Sequence, residues 1–173
     1  WGTSFILIKK GLDSFSSFQI ANLRMFISFI FLLPVAIRNI KLVNRNNILS
    51  FLIIGYIGSA FPAFLYPVAQ TNLDSTVAGM LNSLTPVFTL LFGIFFYSRK
   101  ARTHQVTGII LGFIGAAGLL YKGSFSFNHY GLYIVLATMF YGISSNQVAL
   151  LKNINGMVIT SLAFLFVGPL AGI

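Results

Sequence analysis

Residues 74–120 read DSTVAGMLNSLTPVFTLLFGIFFYSRKARTHQVTGIILGFIGAAGLL, an alternation that only a membrane protein needs. From Ser75 to Tyr97 nearly every side chain is apolar or small. Arg99, Lys100 and Arg102 then crowd together, and the chain turns apolar again from about Gln105 to Tyr121. A helix needs about 20 apolar residues to cover the hydrocarbon core of a bilayer. The stretch therefore reads as two spans joined by a short basic turn.

The same rule extends in both directions. Apolar runs occupy Trp1 to about Lys10, Ser17 to Ile37, Ile48 to Ala69, Tyr130 to Leu151, and Met157 onward to Ile173. This makes six or seven spans in all. The first covers only about 15 Å at helical rise and cannot cross by itself. With no initiator Met before it and an apolar run still open at Ile173, both ends are expected to continue in a longer chain. No signal-peptide pattern precedes the first run.

Composition agrees with this reading. Hydrophobic residues make up 57% of the chain and charged residues 8%, with a mean hydropathy of +0.88. Soluble domains carry about a quarter charged residues. The formal charge of +9 would suggest nucleic acid in a soluble protein, but here the cations sit in gaps between apolar runs, where membrane proteins mark their cytoplasmic side. Ending the second span inside puts Arg38, Lys41, Arg45, Arg99, Lys100, Arg102 and Lys152 inside, against Lys9, Lys10 and Lys122 outside. The N-terminus is then cytoplasmic and the membrane is the inner one. Short gaps make successive helices antiparallel neighbours, so the expected fold is an all-α polytopic bundle.

The stretch from Asp74 to Leu120 resembles the EamA-like repeat of the drug/metabolite transporter superfamily. Trp1-Gly2-Thr3-Ser4-Phe5 is similar to that family's opening element, and Ala21-Asn22-Leu23-Arg24 to its second-helix motif. Ser83-Leu84-Thr85-Pro86-Val87-Phe88 resembles its fourth-helix signature, and Gly108 to Gly118 its glycine-rich fifth helix. One departure stands out, because Ser98-Arg99 occupies the place where the family usually carries Gly-Glu. The resemblance implies ten helices in two inverted five-helix repeats, about seven of them present. Residues 1–121 would be the first repeat and 122–173 the start of the second. An odd number of spans per repeat forces the second copy to enter from the opposite face, around a midplane site. Tyr141-Gly142-Ile143-Ser144 faintly echoes Trp1-Gly2-Thr3-Ser4. The resemblance further implies a secondary transporter exporting amino acids or related metabolites.

Polar residues inside the spans are the candidate site. Arg24 lies roughly 10 Å below the outer boundary, where a buried Arg costs at least ~2.5 kcal/mol unless it finds a partner. Snorkelling to the headgroups, or a bond to a neighbouring carbonyl, is the preferred reading from sequence, with substrate contact the alternative. Pro86 removes a backbone donor in mid-span, and Asn82 and Thr85 beside it either line a cavity or satisfy the freed carbonyl. Pro62 and Pro67 bracket the third span as further kinks or hinges, with Tyr66 and Gln70 nearby. Ser144 and Asn146 belong to a run of four polar residues in the sixth span, and Trp1 and Ser4 would approach the same region from the first. The substrate-binding set is thus Trp1, Ser4, Arg24, Tyr66, Asn82, Thr85, Ser144 and Asn146. Gly108, Gly112 and Gly115 form one helical stripe, the ordinary device for close helix association in lipid.

No catalytic constellation assembles from this sequence, since its two histidines and two acids all fall in loops. No cofactor or metal is expected. The partners that fit are the bilayer, a small-molecule substrate and a second copy of the chain, with nucleic acid excluded. A non-transporting ligand-binding or structural subunit, or a channel, remains an alternative. No Asp, Glu or His lies in a span to relay protons, so the carrier either runs down a substrate gradient or keeps its coupling group in further helices.

Overall fold

The computed structural model describes residues 2–98, 103–120 and 129–172, and among these every regular element is helical. In chain order they are α1 (Gly2–Gly11), α2 (Ser17–Asn39), a 3-10 turn (Ile40–Leu42), α3 (Ile48–Leu52), a π-helical segment (Ile53–Ala60), α4 (Phe61–Gln70), α5 (Ser75–Asn82), α6 (Thr85–Tyr97), α7 (Thr103–Leu120), α8 (Tyr130–Val148), α9 (Gly156–Val167) and a second 3-10 turn (Pro169–Gly172).

Local chemistry sets the ends. Ser16 and Gln19 form a reciprocal capping box that starts α2, with Gln19 N donating to Ser16 Oγ (3.2 Å) and Ser16 N to Gln19 Oε1 (2.9 Å). The Asn-rich gap after α2 closes on itself. Asn44 N donates to Asn47 Oδ1 (2.8 Å), and Asn47 Nδ2 donates to the Leu42 carbonyl (2.7 Å), so asparagine supplies the turn that the backbone cannot make alone. Asn155 caps α9 by accepting from Met157 N at 2.9 Å. Ser98 ends α6 with φ 49° and ψ 32°, the left-handed region that glycine occupies most cheaply.

Among the described residues, three rods are long and apolar enough to cross a membrane: Ser17–Leu42, Ile48–Gln70 and Ser75–Tyr97. The expected count was six or seven. Part of the difference has physical causes: α1 has 10 residues and α9 12, while α8 is diluted by the polar run Ser144 to Gln147. The outer surface is apolar, with Phe31 79% and Phe95 78% exposed. Such residues are at home only against lipid. The protein is an all-α, polytopic membrane bundle.

Packing centres on α8, which lies against α6 on one side and α4 with the π segment on the other. One apolar core joins Phe5, Ile8, Ile20, Tyr66, Leu81 and Ile134 from five helices. A second joins Ala36, Phe51, Ile54 and Leu162 where α9 meets α2, α3 and the π segment.

The close seams are not where the glycine stripe places them. Gly108 and Gly115 on α7 have nothing within 4 Å of an added Cβ, and only Gly112 meets a neighbour, Val87. Gly108 and Gly112 instead line a cavity left between α7 and the start of α6. The tight approaches are elsewhere. A Cβ on Gly142 would stand 2.8 Å from the Phe88 carbonyl carbon, on Gly55 2.7 Å from the Ala163 oxygen, and on Gly58 2.0 Å from Ser144 Oγ. Glycine lets α8 sit on α6, and the π segment sit on α8 and α9.

Candidate functional site

The fourth span divides where Pro86 demands it. Proline has no N–H to give the carbonyl of Asn82, four residues back. Ser83 and Leu84 switch to bonds three residues back, to Met80 (3.0 Å) and Leu81 (3.1 Å), and the rod splits into α5 and α6. Thr85 Oγ1 takes the vacated acceptor, donating to the Asn82 carbonyl at 2.8 Å. With its backbone satisfied, Asn82 turns its side-chain oxygen to the hydroxyl of Tyr66 on α4, which donates to it. Thr85 repairs the break, and Asn82 also borders a cleft of about 420 Å³ with Phe5, Ser75 and Gly79. On its other side the break opens into a cavity of about 760 Å³, with Thr85, Thr89, Gln105 and Ser145 among its lining.

Tyr66 is the hub. Its ring stands 5.3 Å from that of Phe5 on α1 and 6.0 Å from that of Tyr141 on α8. Arg24 on α2 has Tyr141 and Tyr66 as its electrostatic neighbours. Its Nη1 is enclosed by protein and has no hydrogen-bond partner. The preferred expectation of a snorkelling arginine is not what the structure shows, because the head group turns inward. Neither of the chain's acids reaches it: Asp13 and Asp74 are both exposed outside the helices. By helical rise, Arg24 and Asn82 lie roughly 10 Å into their helices, Tyr66 roughly 6 Å from the end of α4 and Tyr141 roughly 16 Å into α8. Four helices thus bring polar groups inside the rods rather than to their ends.

The remaining candidates scatter. Asn146 is fully buried, its Nδ2 donating to the carbonyls of Thr89 (2.8 Å) and Gly142 (2.9 Å), a tie between α8 and α6. Ser144 is buried against Gly58. Ser4 is half-buried on α1, and Trp1 lies outside the described residues. Pro62 and Pro67 are buried within α4, while Pro86 is exposed. Pro62 is the second residue of α4, just past the π segment, in the first turn where a proline's missing N–H is tolerated.

Three features escaped the sequence reading. Tyr141 joins the cluster from a position visible only as part of a repeat echo. Gln70 is fully buried with both side-chain amide atoms unpartnered, one helical turn from Tyr66 on the same face of α4. Lys9, read as an outer cation at the end of the first span, donates its ammonium to the carbonyls of Gln70 (2.7 Å) and Leu73 (3.2 Å), where a helix end welcomes a cation. A cation closing an apolar helix was the available signal for the last. At the opposite end of α8, Ser50 Oγ donates to Gln147 Oε1 (3.1 Å) and Gln147 Nε2 to the Tyr97 hydroxyl (2.7 Å), joining α3, α8 and α6.

Comparison with known proteins bears directly on this arrangement. The profile of the EamA-like transporter family matches residues 1–121. The chain belongs to that family. An uncharacterized transporter of Bacillus subtilis, YdfC, is 22% identical over 142 residues, 81% of this chain and 46% of its own length. The uncharacterized inner membrane transporter YedA of Escherichia coli K12 is 29% identical over 138 residues, covering 79% of this chain and 45% of the relative. A probable amino-acid metabolite efflux pump of Salmonella typhimurium is 30% identical over 123 residues, 69% of this chain and 39% of that protein. The EamA-like chain spans about half the length of the curated relatives it matches. No solved structure matches it.

Proposed function

We propose that this EamA-like chain is part of a secondary transporter that exports small metabolites such as amino acids by alternating access. Residues 1–121 form its first repeat and 122–173 begin an inverted second, in the cytoplasmic membrane with the N-terminus inside. The observation that carries the reading is the Tyr66–Asn82–Thr85 chain at the broken fourth span. Freed backbone, satisfied polar side chains and adjoining clefts meet there inside an otherwise apolar bundle. Irregular backbone at membrane depth is tolerated only where it is buried in protein or lines a cavity, and broken helices are where transporters hold their cargo. The relatives' names, including an amino-acid metabolite efflux pump, point the same way.

The test is counterflow of radiolabelled amino acids in proteoliposomes of the full-length protein. Saturable exchange that is reduced in Asn82→Leu supports the reading, and absence of exchange for every amino acid supplied sinks the export of amino acids. Accessibility labelling of cysteines placed at Arg45 and Asp74 tests orientation. Labelling of the Asp74 position from the cytoplasm would reverse it.

A further inference from the structure

Two polar groups that ought to be partnered meet no acceptor or donor around the Tyr66 hub. One is Arg24 Nη1; the other is the side-chain amide of Gln70, a turn along from Tyr66. Buried polar atoms in folded proteins are nearly always paired, so each such atom calls for an explanation. The arginine calls loudest. A cation inside a membrane protein faces the bundle interior and pairs with an anion or with carbonyls, and the chain's acids, Asp13 and Asp74, are both exposed and outside the helices. The group therefore has the features of a receptor for an anion that arrives from outside the chain. A planar guanidinium matches a carboxylate with two parallel bonds. Beside it stand Tyr66 and Tyr141, and Tyr66 packs in turn on Phe5, so tilted rings with centroids 5.3 and 6.0 Å apart form an apolar wall with phenolic tips.

We propose that Arg24 is the anchor for a carboxylate on the transported molecule, and that Phe5, Tyr66 and Tyr141 receive the apolar part attached to it. This rests on the transporter reading above and narrows its substrates to carboxylates. The cleft lined by Phe5 and Asn82 stops at two residues that both touch Tyr66, and the Tyr66 to Asn82 hydrogen bond is the contact that cargo displaces on its way from there to Arg24. An arriving carboxylate supplies the acceptors that Arg24 lacks, so the exchange leaves the site better satisfied than before.

The experiment is counterflow with the full-length protein in proteoliposomes, using L-threonine, L-methionine and L-phenylalanine and the carboxamide of each. The wild type is expected to carry at least one acid and to carry its amide at least tenfold more slowly. Arg24→Gln is expected to erase that preference and raise KM at least tenfold, while Arg24→Lys keeps the preference with an intermediate KM. A structural arginine would instead slow acid and amide alike and leave their ratio unchanged. An unchanged ratio in Arg24→Gln overturns the proposal, and so does a wild type that carries acid and amide equally, although both leave the transporter reading standing. Transport of none of the six removes that reading and this one together. A further measurement needs no variant: modification of Arg24 by phenylglyoxal, read by mass spectrometry. The transported acid is expected to slow it at least threefold and its amide not to, and equal rates overturn the proposal even if Arg24→Gln fails to fold.

Discussion

Gly142→Ala should destabilise this protein, although the same change in an open stretch of helix would stabilise it. Alanine is the better helix former by about 1 kcal/mol. Against that gain, the new Cβ would stand 2.8 Å from the carbonyl carbon of Phe88, 2.9 Å from the amide nitrogen of Thr89 and 3.0 Å from the Phe88 Cβ. Two of the three are backbone atoms of α6, so no rotamer change can relieve the clash and the helices must part. Overpacking of this kind costs about 1–3 kcal/mol. Parting α6 from α8 also stretches the bond from Asn146 Nδ2 to the Thr89 carbonyl, now 2.8 Å, and losing such a bond costs a further ~1 kcal/mol. Subtracting the propensity gain leaves a net loss of about 1–3 kcal/mol. The assay is thermal unfolding of the purified full-length protein in detergent, with Gly108→Ala as the partner variant. A Cβ on Gly108 meets nothing within 4 Å, so that change should leave the midpoint level or raise it. If Gly142→Ala melts with or above the wild type, or Gly108→Ala melts well below it, the assignment of the close seam to α6 and α8 is wrong.

Other perturbations follow from single contacts. Ser98→Gly relieves a side chain held at φ 49° and should raise stability by about 0.5–1 kcal/mol in the same melting assay. Thr85→Val keeps the shape but leaves the Asn82 carbonyl without its donor, which should cost about 1–3 kcal/mol, whereas Thr85→Ser should recover most of it. Lys9→Met removes the cation from the end of α4 and should lower the melting temperature, with faster amide exchange at Leu73 and its neighbours as the local readout. Gln147→Leu severs the link between Ser50 and Tyr97, and should raise accessibility of a cysteine placed at Tyr97 if that link holds the α8 end closed.

What could be read in advance tracks what local chemistry determines. The apolar runs and their polar gaps located the rods to within a few residues, because hydrocarbon imposes length and polarity on each segment independently. Pro86 announced the break, and the arithmetic of a missing N–H named Asn82 and Thr85 as its neighbours. Arg24 was conspicuous by its cost, but its direction was not: a long flexible side chain can climb outward or fold inward, and only the positions of Tyr66 and Tyr141 distinguish the two. The seam glycines failed for a related reason. Spacing at Gly108, Gly112 and Gly115 marks a face, and which helix covers a face is a property of the whole bundle. Gly55, Gly58 and Gly142 carry no regular spacing to notice. The partners of Lys9 were not legible because a lysine at a helix end looks like a solvated charge until the carbonyls of another helix are placed beside it.

The π segment between Ile53 and Ala60 bears on all of this through angular phase. Accommodating one residue more than an α-helix would hold offsets everything after it by one residue's step, about 100° of rotation about the rod. A helical wheel drawn straight through from Ile48 therefore points Tyr66 and Gln70 at the wrong neighbours, and the wide turn clocks them toward α5 and α8. Deleting one residue from this segment would leave the apolar length of the rod almost untouched and still swing its polar pair away from the hub.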